Sequence, residues 1–207
     1  MVELVQEVKR QTILFHVPIC RIFKKAILSW FCLDKTGLDI VYLINWAPEK
    51  DRATYRQEIA RKMNKAREIF LAGDYEWFFN VEDDIVIPKS ALQKLLAQKV
   101  PLTSGITNIR ATTNPLKPWW PRVLDPEGPQ DSDDRWIEEG KDFTFGDIIE
   151  STIMTFSCVL IKREIIEKIK FDDDIDVSFG KAAYNAGYKL LVNTGVKCSH
   201  LETTAQH

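Results

Sequence analysis

Apolar and polar residues form alternating blocks along this chain, and the blocks predict strands and helices in turn. Two apolar runs, Thr12–Ile19 and Leu38–Asn45, predict buried strands. Between them, Arg21–Phe31 carries apolar residues at the spacing of an amphipathic helix. A strand, a helix and a strand in this order normally form a right-handed parallel crossover unit. The start of the chain therefore predicts an α/β sheet.

The same alternation continues through most of the chain. Arg52–Ala72 predicts a long helix that Gly73 ends, and Ser90 and Gln93 have the spacing of a capping box for a helix after Pro88. The remaining predicted elements are strands at Tyr75–Val81, Ile153–Ile161, Tyr188–Asn193 and Val196–Leu201, a strand or strand pair at Val100–Ile109, and helices at Arg163–Ile169 and Val177–Ala186. This order predicts one α/β domain over residues 1–207, with a mixed, mostly parallel sheet flanked by helices.

Residues 111–152 interrupt the pattern with five prolines, three tryptophans and several acids. Segments of this length without helical or strand periodicity are usually functional loops or disordered chain. The tryptophans argue against disorder, because disordered segments contain few aromatic residues. We therefore predict a long, mobile, acidic loop. The chain after it is too short for a second core.

The composition of the chain argues against several classes of function. The chain is 45% apolar and 28% charged, as in a soluble globular protein. Its 28 basic and 30 acidic residues nearly cancel, which argues against a protein that binds nucleic acid through bulk charge. The sequence has no apolar run long enough for a membrane span and no signal peptide, so we expect a cytoplasmic protein. Its four cysteines lack a Cys-x-x-Cys pair and predict buried, reduced thiols.

The feature with the most chemical content follows the predicted strand Tyr75–Val81. Three consecutive carboxylates, Glu82, Asp83 and Asp84, stand where the apolar run stops. Adjacent negative charges beside an apolar core are unfavourable unless a cation neutralises them, which predicts a divalent-metal site. The alternative is an acidic turn between a strand and a helix, since Asp is common in turns.

A second acidic cluster and a histidine complete the candidate chemistry. The run Phe171-Asp172-Asp173-Asp174-Ile175-Asp176 precedes a predicted helix, and His200 ends the last predicted strand. Carboxylates with one imidazole suit Mg²⁺ or Mn²⁺, which leave positions open for phosphate oxygens. Crowded acids at a helix start can supply a general base. Asp176 could instead be a helix-capping acid, and His200 a structural histidine.

In the order of these segments the chain resembles a glycosyltransferase of the GT-A fold, close to the family 2 type, over most of residues 12–201. Three stretches carry the resemblance, namely Asp74–Asp84 with Ile87-Pro88, Asp176–Phe179 with Ala186-Gly187-Tyr188-Lys189, and Val196–His200. Asn64 occupies the place of a helix motif near the donor nucleotide. The first acidic position is Glu82 where the family usually has Asp, and Ile175 stands where an acid is common.

The resemblance implies a metal-dependent transfer, with inversion, of a sugar from a nucleotide-diphosphate donor to an acceptor hydroxyl. It implies Asp84 and His200 as ligands of Mn²⁺ or Mg²⁺ and Asp176 as the base, with Asp173 or Asp174 as alternatives. The residues implied to contact a UDP-sugar or GDP-sugar are Pro18, Asn45, Asn64, Glu82 and Asp83. Glu82 or Asp83 is implied to face the ribose or the outer shell of the metal ion.

The resemblance also divides the domain into regions with expected roles. Residues 12–110 form the nucleotide-sugar binding half and residues 153–207 the acceptor and catalytic half. Residues 111–152 form the acceptor-side loop, which we expect to close over the bound donor. The acceptor is expected to be a glycan, a lipid-linked sugar or a protein, neutral or cationic because the loop is acidic.

Two other functions stay open at this point. A sugar-nucleotide pyrophosphorylase would need a glycine-rich first strand-to-helix loop, and His16–Phe23 contains no glycine. A non-catalytic module that binds a nucleotide or a glycan is the other alternative, and Glu82 and Ile175 favour it.

Overall fold

A computed structural model describes most of the chain, including the strands and helices that carry the predicted site. The described residues are 10–46, 52–108, 119–124, 134–137, 139–151, 156–172 and 175–201.

From residue 11 to residue 81 strands and helices alternate, as the sequence pattern predicts. The strands are β1 Gln11–Ile19, β2 Leu38–Trp46, β3 Trp77–Val81, β4 Ile85–Val86, β5 Leu102–Asn108, β6 Trp119–Leu124, β7 Asp134–Ile137, β8 Ile148–Ser151, β9 Cys158–Lys162 and β10 Leu190–His200. The helices are α1 Lys24–Phe31, α2 Arg52–Ala72, α3 Ala91–Leu96, α4 Arg163–Lys168 and α5 Ile175–Asn185. None of these helices is both long and apolar enough to cross a bilayer.

In the described part of the chain the strands form one mixed sheet. Its main path runs β2-β1-β3-β9-β5-β10-β4. Strand β1 pairs in parallel with β2 and β3, β5 pairs in parallel with β10, and β9 lies antiparallel between β3 and β5. Strands β2, β1, β3, β5 and β10 therefore point the same way. The predicted fold class, a single α/β domain with a mostly parallel sheet, is confirmed.

Helices cover both faces of the sheet because β1 and β3 are apolar on both sides. One cluster contains Phe15 and Phe79 from the strands, with Trp30 of α1 and Leu92 of α3. The side chains of α2, α4 and α5 pack on the opposite face around Phe78. All five residues of β3 are buried. A strand buried on both faces is expected in a sheet that helices sandwich.

Helix α1 begins three residues later than the apolar spacing predicts. The pattern starts the helix at Arg21, whereas the structure starts it at Lys24. Phe23 has an extended backbone, with φ −110° and ψ 105°, and its carbonyl accepts the first helical hydrogen bond, from the Ile27 N–H. Before it, the Oδ2 atom of Asp83 accepts hydrogen bonds from the backbone N–H groups of Cys20 and Arg21. These two residues therefore form a loop at the end of β1.

The capping-box prediction at α3 is wrong. Ser90 precedes the helix but makes no side-chain capping hydrogen bond. The Gln93 side-chain amide instead donates to the backbone carbonyls of Asp34 and Thr36, at 3.4 and 2.9 Å. It ties α3 to the turn before β2.

Two other predictions change in the last two thirds of the chain. The segment predicted as a loop, 111–152, contributes β6, β7 and β8, which join the sheet beside β5 and β10. The last two predicted strands form the single strand β10, with an irregularity between Asn193 and Lys197 where its register with β5 shifts.

The cysteines follow the prediction in part. All four are free of disulfide bonds, and Cys158 and Cys198 are buried. A hydrogen bond to Cys158, together with burial, raises the pKa of the Cys198 thiol well above its usual value. Cys20 is half-buried and Cys32 is exposed, so the prediction of burial is wrong for these two.

Candidate metal centre

The acidic run lies at the end of β3, where the chain turns sharply into β4. The Ile85 N–H donates to the Glu82 carbonyl at 3.2 Å and closes this turn. Asp83 and Asp84 are buried, and Glu82 is half-buried. The carboxylates therefore lie at the carboxyl edge of β1 and β3, where parallel α/β sheets commonly bind ligands.

Strand pairing brings His200 to this edge. Strands β4 and β10 are antiparallel, with His200 opposite Ile85, and the Leu201 N–H donates to the Asp84 carbonyl at 2.9 Å. His200 Nε2 lies 3.9 Å from Glu82 Oε2 and 4.0 Å from Asp84 Oδ1. These three residues form the metal group, since one ligand atom from each lies within 4.8 Å of the others. The structure therefore brings together the two predicted metal ligands, Asp84 and His200, and adds Glu82.

The metal group suits a small divalent cation. Two carboxylates and one imidazole are ligands that Mg²⁺, Mn²⁺ and related ions accept. Two coordination bonds of about 2.1 Å span at most about 4.2 Å between ligand atoms. The two histidine-to-carboxylate distances, 3.9 and 4.0 Å, lie within this limit. The third pair of ligand atoms, from Glu82 and Asp84, lies within 4.8 Å, and the donor set of two carboxylates and one imidazole thus suits such an ion.

Ser157 holds Glu82 in place. The Ser157 hydroxyl donates to Glu82 Oε2 at 2.8 Å, and the Glu82 N–H donates to the Ser157 carbonyl at 3.4 Å. Hydrogen bonds from outside the ligand set commonly fix the direction of a metal-ligating carboxylate. Sequence reasoning missed Ser157. The available signal was a serine within the predicted strand Ile153–Ile161, directly before the apolar run of β9.

Asp83 points toward the loop after β1 rather than into the metal group. Its Oδ2 accepts the Cys20 N–H at 2.7 Å and the Arg21 N–H at 2.8 Å. Hydrogen bonds to an ionised acceptor are roughly twice as strong as neutral ones. Asp83 therefore fixes the loop that borders the carboxylates. The predicted contact of Asp83 with the donor stays a prediction.

Arg21 is a further residue of this site that the sequence analysis did not select. Its Nη2 lies 3.1 Å from Asp84 Oδ2 and 3.9 Å from Asp83 Oδ1. The Arg21 side chain is 24% exposed, whereas that of Asp84 is 1% exposed. A guanidinium thus neutralises part of the acidic cluster from the solvent side. The sequence pattern places Arg21 in a helix, and a helical position gives no indication of a contact with the carboxylates.

The predicted nucleotide contacts Pro18 and Asn45 lie side by side, because they are register partners in β1 and β2. The Asn45 side-chain amide donates to His16 Nε2 at 3.2 Å and to the Lys62 carbonyl at 3.4 Å. His16 Nδ1 contacts Asn80 Oδ1 at 2.7 Å. Burial, chiefly, and the charge of Lys62 lower the pKa of His16 to about 4, so its ring is neutral at pH 7. A polar network therefore lies beneath Asn45.

Asn64 and Asp176 lie on the α2 and α5 side of the molecule. The Asn64 side chain exchanges two hydrogen bonds with the backbone of Phe171, five residues before Asp176. Asp176 is the second residue of α5, and its side chain is outside the described residues, as are Asp173 and Asp174. The predicted roles of Asn64 and Asp176 stay predictions.

Three comparisons with known proteins bear on the fold. No family model matches the sequence, and no curated protein matches it. Among solved structures, A197 from STIV shares 16% identity with a TM-score of 0.58, over 93% of this chain and 86% of A197. GalNAc-T7, solved with UDP, GalNAc and Mn²⁺, shares 12% identity with a TM-score of 0.61, over 95% of this chain and 44% of GalNAc-T7.

A third solved structure, the inositol-1-phosphate CTP transferase from T. maritima, shares 14% identity with a TM-score of 0.45, over 95% of this chain and 91% of that protein. At the identities of A197 and GalNAc-T7, the likeness shows the fold alone. The shared fold is an α/β fold with a mixed, mostly parallel sheet.

Proposed function

We propose that this chain is a metal-dependent glycosyltransferase that moves a sugar from a nucleotide-diphosphate donor to an acceptor hydroxyl with inversion. The observation that carries the proposal is the metal group Glu82, Asp84 and His200 at the carboxyl edge of the sheet. The fold of GalNAc-T7, which was solved with UDP, GalNAc and Mn²⁺, supports it. We expect the diphosphate of the donor to lie at this edge, where open α/β sheets bind their ligands.

Glu82, Asp84 and His200 would hold Mn²⁺ or Mg²⁺. When bound, such a cation neutralises the charge that develops on a departing diphosphate. The protein contributes a rigid ligand set to this chemistry. Ser157 orients Glu82, and the pairing of β4 with β10 fixes Asp84 beside His200.

The donor nucleotide would lie over the ends of β1 and β2, where Pro18 and Asn45 are register partners. Asp83 holds the backbone of Cys20 and Arg21 at this position. A fixed loop needs no further ordering when the donor binds, which lowers the entropy cost of binding. We propose nucleotide contacts for Asn45, and for Asn64 farther along α2, with UDP-sugars and GDP-sugars as the first donors to test.

Asp176 is the proposed base. In this role its carboxylate takes the proton of the acceptor hydroxyl as the oxygen attacks the anomeric carbon, and the bond from that carbon to the diphosphate oxygen breaks. Attack opposite the leaving group inverts the configuration at this carbon. Support comes from the resemblance of Asp176–Phe179 to the acidic helix start of GT-A glycosyltransferases, and Asp176 is the second residue of α5. Asp173 and Asp174 are the alternative bases.

Residues 111–152 are proposed to border the acceptor, which would be a glycan, a lipid-linked sugar or a protein. Strand β8 of this segment pairs with β10, the strand that ends at His200. This pairing connects the segment to the strand that carries a metal ligand. Closure of the segment over the donor would show as nucleotide-dependent and metal-dependent protection from proteolysis.

The experiment that tests the proposal measures release of nucleoside diphosphate from UDP-sugars and GDP-sugars with Mn²⁺, with Mg²⁺ and with a chelator. The variants are Asp84→Asn, which removes a metal ligand, and Asp176→Asn, which removes the base. Asp74→Asn, which removes an exposed carboxylate before β3, is the control for loss of a negative charge. We expect release from one donor class, dependent on metal and on both aspartates.

The two variants separate binding from chemistry. Asp176→Asn should still bind the donor, whereas Asp84→Asn should bind it more weakly. Release that persists with the chelator and in Asp84→Asn would contradict the metal-dependent mechanism. Donor binding without release under every condition would favour the non-catalytic module instead.

A further inference from the structure

Arg21 and the metal group share one carboxylate. Asp84 Oδ2 lies 3.1 Å from Arg21 Nη2, and Asp84 Oδ1 lies 4.0 Å from His200 Nε2. Arg21 therefore approaches one oxygen of Asp84 while the metal group uses the other. A divalent cation in the metal group and the Arg21 guanidinium would be two positive charges on one buried carboxylate.

This arrangement makes Arg21 a counter-ion of the acidic cluster. Glu82, Asp83 and Asp84 bring three carboxylates to one turn, and Arg21 lies within 4.0 Å of two of them. Charges on buried groups are screened less than charges in water. A nearby guanidinium should therefore reduce the attraction of Asp84 for a metal ion by a measurable factor.

The Arg21 guanidinium also has a hydrogen-bond donor that it could offer to an anion. Arg21 Nε is buried and has no hydrogen-bond partner among the described residues. A buried donor without a partner is unfavourable, and a phosphate accepts two parallel N–H bonds from one guanidinium. The loop that carries Arg21 is fixed by Asp83, so the side chain can change partner without movement of the backbone.

We propose that Arg21 is an exchangeable counter-ion of Asp84, which weakens metal binding in the free protein and moves to the donor diphosphate when metal and donor bind together. This inference rests on the proposed function, because it takes the metal group to be a metal site beside a diphosphate. The exchange couples metal binding to donor binding. The diphosphate draws the positive charge of Arg21 away from the metal ion, and the metal ion neutralises the carboxylates that would repel the diphosphate. Couplings of this kind typically amount to about 5-fold to 150-fold in affinity.

The test measures two affinities of Arg21→Gln with opposite expected changes. Binding of Mn²⁺ alone, followed by electron paramagnetic resonance of the free ion, should be about tenfold tighter than in the wild type. Binding of UDP or GDP at a fixed concentration of free Mn²⁺ should be about tenfold weaker. Chelation of Mn²⁺ by the nucleotide in solution is identical for both proteins, so the ratio of their affinities reports the side chain.

Two controls separate this role from general charge and from folding. Lys25→Gln removes an exposed positive charge on α1 and should change neither affinity by more than about twofold. Arg21→Lys keeps a charge beside Asp84 but lacks the two-pronged donor, so it should keep weak Mn²⁺ binding and lose affinity for the nucleotide. Thermal unfolding verifies that each variant is folded.

The outcomes divide as follows. Tighter Mn²⁺ binding together with weaker nucleotide binding in Arg21→Gln supports the inference. Unchanged or weaker Mn²⁺ binding in a folded Arg21→Gln overturns it, while the metal site survives if Asp84→Asn loses Mn²⁺. Absence of Mn²⁺ binding in both the wild type and Arg21→Gln overturns the metal site and the inference together.

Discussion

Asn64 and Phe171 exchange two hydrogen bonds across 107 residues of sequence, with the Asn64 amide nitrogen 2.8 Å from the Phe171 carbonyl and the Phe171 N–H 3.1 Å from Asn64 Oδ1. This contact ties α2 to the chain just before the second acidic cluster. The Phe171 ring stacks on Phe179 of α5 with centroids 4.9 Å apart. Asn64 therefore helps to position the helix that carries Asp176.

Replacement of Asn64 tests this positional role. Asn64→Ala removes both hydrogen bonds and leaves two backbone groups of Phe171 without their side-chain partner. We expect a loss of about 1–3 kcal/mol in the free energy of unfolding, measured by urea titration. Lys65→Ala, the neighbouring exposed residue with a surface ion pair to Glu68, should lose less than about 1 kcal/mol. Equal losses in the two variants would show that the hydrogen bonds between Asn64 and Phe171 add nothing to stability beyond an exposed contact.

The buried histidine predicts a pH dependence of stability. The folded protein holds the pKa of His16 at about 4, and the unfolded value is the ordinary 6.5. The unfolded chain therefore binds more protons between these values, and stability is lost as the pH falls through this window. For this single group we expect a loss of about 2 kcal/mol between pH 8 and pH 5.

The His16 contribution is isolated by His16→Gln, which keeps a polar side chain but cannot titrate. Urea unfolding at pH 8 and at pH 5 should show a smaller loss of stability in the variant than in the wild type. The difference between the two proteins removes the contribution of all other titrating groups. Parallel pH profiles would mean that His16 is protonated in the folded protein as readily as in the unfolded chain.

Asp83 is expected to differ from its neighbour Asp84. Asp83→Asn weakens the charge-assisted hydrogen bonds to the Cys20 and Arg21 N–H groups, and we expect a loss of about 1–3 kcal/mol in stability. Its effect on Mn²⁺ affinity should be smaller than that of Asp84→Asn, since Asp83 is not in the metal group. Calorimetric titration of Mn²⁺ into both variants makes the comparison. A larger loss of Mn²⁺ affinity in Asp83→Asn would mean that Asp83 is a ligand.

Close packing of β5 on β10 makes Gly105 sensitive to substitution. A Cβ atom at Gly105 would lie 2.8 Å from the carbonyl oxygen of Val196 and 2.9 Å from Cγ1 of the same valine. Gly105→Ala should therefore destabilise the protein by about 1–3 kcal/mol in urea unfolding. Ser104→Ala is the matched control, because the buried Ser104 hydroxyl has no hydrogen-bond partner among the described residues. A more stable Gly105→Ala protein would contradict the packing of these strands.

The strands and most helices could be predicted from sequence because their signals are local. The run Trp77–Val81 is apolar and ends on acids, and the structure has a buried strand and an acidic turn there. The loop before α1 is held by Asp83, which accepts the Arg21 N–H from 62 residues away. A long-range contact of this kind is absent from any local pattern.

The site was predictable only in part, for the same reason. Asp84 and His200 were named through the resemblance, but their separation depends on the register of β4 and β10. Arg21 contacts Asp84 and Ser157 contacts Glu82 because of the directions of their side chains, which the spacing of residues in the sequence does not predict. Residues predicted for one purpose can also serve another, as the contact between Asn64 and Phe171 shows.

The most direct test of the central claim is calorimetric titration of UDP and of GDP into the wild type and Asp84→Asn, each with Mn²⁺ and with a chelator. We predict that one nucleotide binds the wild type with Mn²⁺, and that either the chelator or Asp84→Asn weakens binding by at least about tenfold. Equal binding in all four conditions, or binding of neither nucleotide to the wild type, would contradict the claim that Glu82, Asp84 and His200 form a metal site for a nucleotide donor.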